Sequence, residues 1–143
     1  MQTNTENIYA AGDIAEFDNK IIGLWNIAIE QGKVAGYNIV GKETIYEKIS
    51  PVTTLNAFGI SLFSMGCVDK EESTKVLMDE DTNSKIYKKI FMRNNQVIGA
   101  IVIGDMKRSP LLKSVIEKGT ALNDVDLSNI SVDEFLDKLK NNK

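Results

Sequence analysis

The chain has 143 residues, 43% hydrophobic and 26% charged, the proportions of an ordinary water-soluble domain. Its 17 basic and 20 acidic residues leave a net charge of −3, without the basic excess of a nucleic-acid binder. With no histidine and one cysteine, Cys67, the sequence rules out an internal disulfide and a C-x-x-C redox pair. The same facts argue against a hydrolase triad or a zinc enzyme. No apolar run approaches the roughly 20 residues of a membrane span. Met1–Glu6 lacks the basic and apolar regions of a secretion signal, and a single free thiol suits a reducing cytoplasm.

Ile8–Ala11 reads as a short buried strand stopped by Gly12-Asp13. A helix follows over Ile21–Val40, with Leu24, Ala28, Gly32 and Ala35 spaced to share one face and Gly41 placed to end it. After Pro51 the pattern turns to period two. Thr54–Ser64 reads as a strand in which Phe58, Ile60 and Leu62 alternate, with Gly59 marking a bulge or close contact. Thr74–Met78 is a further strand, Asp79–Ser84 a solvated polar turn, and Ile86–Met92 and Val97–Ile103 flank a two-residue hairpin turn at Asn94-Asn95. Phe58, Ile60, Leu62, Val76, Met78, Ile90, Val97 and Ile101 are the expected core of one antiparallel sheet.

The tail reads as helical. Ser109-Pro110 suits an N-cap followed by proline, Leu111, Leu112, Val115 and Ile116 form an apolar face, and Gly119 stops the helix. Ser131-Val132-Asp133-Glu134 has capping-box spacing before Phe135, Leu136 and Leu139, and Asn141–Lys143 should fray. Cys67 is expected to be a buried, inert thiol. The order of elements predicts an α+β chain in three parts: a strand-plus-helix remnant at 1–47, an antiparallel β-meander at 48–106 and a helical tail at 107–143.

Thr3, together with Tyr9-Ala10-Ala11-Gly12-Asp13, resembles the second FAD-binding motif of the pyridine-nucleotide:disulfide oxidoreductase superfamily. Trp25, Ala28, Gln31-Gly32, Ala35 and Gly41 resemble that family's following helix, and Thr53–Asn56 through Gly59-Ile60 to Ser64-Met65-Gly66 resembles the start of its C-terminal domain. Within the superfamily the stretch is most similar to NADH:rubredoxin reductases and to the large subunit of NADH-dependent nitrite reductases.

The resemblance implies a cofactor, FAD, bound in part by Gly12, which permits close backbone approach. It implies that Asp13 accepts a ribityl hydroxyl. The backbone N–H groups of Leu24 and Trp25, at a helix N-terminus, would then face the flavin pyrimidine ring. It implies electron flow from NAD(P)H through FAD to an acceptor protein such as a rubredoxin-type carrier. The phosphate-binding G-x-G-x-x-G is absent from the sequence. The chain is therefore expected to be a C-terminal fragment, inactive alone and unable to retain FAD, and to cover its orphan first 45 or so residues as a homo-oligomer. The competing expectation is a non-catalytic dimerisation or interaction module.

Overall fold

The computed structural model describes residues 1–47, 49–122 and 127–141. The expected fraying at Asn142 and Lys143 lies outside them. The chain divides into two compact units, Met1–Pro51 and Val52–Lys143.

In the first unit, Ile8–Ala11 is not a strand of a sheet. It pairs back on the N-terminus through one antiparallel bridge, Gln2 with Tyr9, and Thr3 N–H donates to the Ile8 carbonyl at 2.8 Å. Among the described residues of this unit no second strand stands beside it, and Ile8 is exposed rather than buried. A short 3-10 turn, Gly12–Ile14, follows. The helix α1 spans Trp25–Ile39, starting four residues later than its apolar pattern suggests, because Leu24 keeps extended dihedrals as the N-cap. It ends as expected. Gly41 adopts φ +80°, its N–H donates to the Asn38 carbonyl, and Lys42 N–H donates to Tyr37, the paired bonds of a Schellman motif. The buried face of α1 is Ile27, Gln31, Val34 and Ala35; Gly32, expected on it, is exposed. Phe17 packs edge-on against Tyr46, ring centroids 4.9 Å apart.

The second unit contains one antiparallel sheet. Its strands are β1 (Val52–Ala57), β2 (Ile60–Gly66), β3 (Lys75–Asp81), β4 (Ile86–Arg93) and β5 (Gln96–Ile103), in spatial order β1-β2-β5-β4-β3. The single strand expected over Thr54–Ser64 is instead a hairpin. Phe58 and Gly59 both take positive φ, +54° and +71°, as a type I′ turn requires. Asn94 and Asn95, at +50° and +59°, make the same turn between β4 and β5. β3 runs on through Asp81, so the polar turn is shorter than expected.

Helices α2 (Ser109–Lys118) and α3 (Val132–Asn141) contribute Leu112, Val115, Phe135, Leu136 and Leu139 to the core that the sheet fills with Phe63, Met65, Leu77, Ile90, Met92, Val97, Ala100 and Val102. Of the expected core set, Ile90 and Val97 lie in it. Phe58 is fully exposed at its turn, and Ile60 and Met78 are exposed. Leu62, Val76 and Ile101 are half-buried. The pairing explains the miss. Leu62 and Ile103 are opposite one another, Phe63 and Val102 are the next pair, and only the second pair faces the helices. Period two is symmetric between faces, so alternation does not say which face the helices cover. A bulge compounds it: Phe91 pairs with Gly99 and Met92 with Val97, leaving Ile98 unpaired, so Val97 and Ala100 reach the same core despite opposite parity.

In α2 the N-cap is Arg108, with Ser109 already helical and buried, one residue ahead of the expected cap. The α3 capping box forms as expected: Glu134 N–H donates to Ser131 Oγ, and Ser131 N–H and Oγ–H donate to Glu134 Oε2.

Candidate functional site

Among the described residues no group of three or more His, Cys, Asp or Glu is placed to hold a metal ion. The Asp81 carboxylate accepts Ser84 Oγ–H at 2.6 Å and the N–H groups of Asn83 and Ser84, bonds that hold it below the usual carboxylate range. Cys67 is half-buried rather than sealed in the core, and its N–H donates to the Ile98 carbonyl.

The first unit brings the sequence-predicted residues together. Ala11 is extended, and the chain then turns through Gly12 at φ +78°, a region unfavourable for residues with a Cβ. A Cβ on Gly12 would meet the Ala28 Cβ at 3.4 Å, so the turn lies close against α1. Gly12 N–H donates to Gln31 Oε1 at 2.8 Å. Asp13 follows with its side chain exposed, and its Oδ1 lies 3.9 Å from the position of a Cβ on Gly23. The carboxylate therefore stands beside the segment that leads into α1.

That helix terminus carries no side-chain cap. Its first i→i−4 bond runs from Ala28 N–H to the Leu24 carbonyl. The N–H groups of Trp25, Asn26 and Ile27 precede it, the donors that a helix start leaves without an internal acceptor. The Leu24 N–H, expected among the donors, is committed to the Ile22 carbonyl at 2.8 Å. Because α1 starts later than its apolar pattern suggests, the donor set moves one residue on, to Trp25 and the two residues after it. The Trp25 side chain is 83% exposed, so it is not a core aromatic of this unit. Gln31, which was not among the candidate site residues, stands beside Gly12. Its place beside Gly12 depends on the turn folding back on the helix, which spacing does not report.

Chemically, the arrangement sets an exposed carboxylate, able to accept a hydrogen bond from a hydroxyl, beside Gly23, two residues before the N–H donors at the positive end of a 15-residue helix. The family model described as rubredoxin NAD+ reductase C-terminal domain matches residues 51–120. Those residues, just under half of the chain, are similar to that domain. The chain is 35% identical over 139 residues to the NADH-rubredoxin oxidoreductase of Clostridium acetobutylicum, covering 97% of this chain and 35% of that protein. It is 36% identical over 133 residues to a nitrite reductase [NAD(P)H] of Bacillus subtilis, covering 92% of this chain and 16% of that protein. The crystal structure of the Clostridium acetobutylicum NADH:rubredoxin oxidoreductase superposes with a TM-score of 0.75 at 33% identity, over 96% of this chain and 35% of that one. The chain thus spans about a third of the first of these relatives and less of the second. Covering 96% of this chain, the match to that structure extends into the first unit as well as the sheet. Among the described residues no helix is long and apolar enough to cross a membrane.

Proposed function

We propose that the chain works as the C-terminal part of a flavoprotein that passes electrons from NAD(P)H through FAD to an acceptor such as a rubredoxin-type carrier. The observation that carries this reading is the Asp13 carboxylate set beside the uncapped N-terminus of α1. When bound, FAD supplies the redox chemistry, accepting a hydride and releasing electrons. Asp13 would accept a hydrogen bond from a ribityl hydroxyl. The first-turn N–H groups from Trp25 onward would serve the flavin pyrimidine edge, where the helix dipole favours negative charge. Gly12, at φ +78° and without a Cβ, would let the backbone approach the cofactor.

No residue of this sequence supplies the phosphate-binding glycine motif. On this reading the isolated chain neither retains FAD nor turns over, and it acts joined to a segment that holds the adenosine and pyrophosphate. A visible spectrum of the purified chain with added FAD tests this; binding at a dissociation constant of about 10 μM or below would be worth roughly 7 kcal/mol and would reject it. In the full-length flavoprotein, Asp13→Ala should cost about 1.5–3 kcal/mol of flavin binding and Asp13→Asn less, because the amide keeps an acceptor oxygen. Unchanged flavin content in the alanine variant would mean that Asp13 only ends the turn.

A second reading, a dimerisation module, is favoured by one feature of the first unit. Ile14, Ile21, Trp25, Ile39 and Ile45 are exposed apolar side chains on one small body. Light scattering across a concentration series tests it: a monomer throughout rejects self-association through these residues, whereas a dimer is expected of both readings.

A further inference from the structure

We infer that Gln31 is the positioning residue for the flavin-facing carboxylate, an inference that rests on the flavin reading of Asp13. Among the described residues three polar or charged side chains are buried, Gln31, Lys88 and Ser109, and Gln31 is the one in the first unit. It is 4% exposed on the core face of α1, where an amide is costly unless it is bonded. Its Oε1 takes up the N–H of Gly12, 19 positions earlier, at 2.8 Å.

The bond sits at the pivot of the site. Gly12 at φ +78° has no Cβ to restrict it, so its own dihedrals do not hold the turn. Besides the Ala15 N–H bond to its carbonyl, one face of α1 holds it: a Cβ on the glycine would stand 3.4 Å from the Ala28 Cβ, and Gln31, three residues on, accepts its N–H. Asp13 is the next residue. Releasing the Gly12 N–H therefore loosens the hold on the carboxylate's place beside Gly23. A Gln31 that merely filled the core would be replaceable by any side chain of its shape.

The experiment compares three variants of the full-length flavoprotein. Gln31→Met keeps length and removes the acceptor; Gln31→Glu keeps an acceptor oxygen in either protonation state; Asp13→Ala removes the carboxylate. The methionine variant should bind FAD roughly tenfold more weakly with unchanged far-ultraviolet circular dichroism, the glutamate variant should recover most of the loss, and hydrogen exchange at the Gly12 amide should quicken in the methionine variant alone. If Asp13→Ala weakens FAD binding while Gln31→Met does not, the positioning role is overturned and the flavin reading stands. If Asp13→Ala also leaves binding unchanged, the flavin reading falls and the inference with it.

Discussion

Lys88 Nζ lies 2.6 Å from Asp133 Oδ1, joining β4 to the first turn of α3 across 45 positions of sequence. The lysine is buried on the helix-facing side of the sheet, whereas the aspartate is more than half exposed. Removing either partner therefore has unequal consequences. Asp133→Ala strands a buried ammonium and should destabilise the chain by about 1–3 kcal/mol in urea unfolding. Lys88→Met leaves an exposed carboxylate that water solvates and should cost less. The reverse order would show that the ion pair does not organise this contact.

The β1–β2 turn is built against its own sequence. Phe58 holds φ +54° with its ring fully in solvent, so it gains no burial for a left-handed backbone. Phe58→Asn supplies the residue that type I′ turns favour and should stabilise the chain by about 1 kcal/mol, read as a higher urea midpoint at unchanged slope. A lower midpoint would mean that the ring has a partner in solution.

Acid should weaken the chain partly through two exposed carboxylates. Glu134 is held below the usual carboxylate range by the Ser131 backbone and hydroxyl bonds, and Asp81 by those from Ser84 and Asn83. A carboxyl lowered in the folded state adds stability that is present above its unfolded pKa and lost as pH falls through the folded one. Unfolding midpoints measured from about pH 6 down to about pH 3 should fall, and the fall should be shallower in Glu134→Gln, which keeps an acceptor but does not titrate. An identical slope in that variant would remove the capping box from the acid response.

Two glycines should respond in opposite directions. A Cβ on Gly99 would overlap the Cys67 carbonyl where β5 passes the end of β2, so Gly99→Ala should cost several kcal/mol, on the order of 3 or more, or prevent folding. Gly32 is exposed within α1 and a Cβ there meets nothing within 4 Å, so Gly32→Ala should stabilise by about 0.5–1 kcal/mol. Thermal melts of the two variants separate these outcomes. A destabilising Gly32→Ala would show that this helix face is covered in solution.

Much of this architecture was written in short windows of sequence. The Asn94-Asn95 turn, the Gly41 and Gly119 helix stops and the Ser131–Glu134 capping box all form where their residues place them, because each is a bond or a dihedral spanning six residues or fewer.

Local stretches of sequence set the α+β class, the three helices, the strands β3 to β5, the Asn94-Asn95 turn, the Gly41 and Gly119 stops, the Ser131–Glu134 cap and the family resemblance carried by residues 51–120. Tertiary structure decided which side of each strand became core. Helices landing on the Phe63–Val102 side buried that face and left Met78 and Leu55 exposed, although both faces alternate equally well. It also decided that Phe58-Gly59 is a turn, that Ile98 bulges, and that Gln31 reaches Gly12. The choice of buried face and the Gln31–Gly12 bond depend on contacts between segments distant in the chain, and the energy of such a contact appears only when both segments are in place.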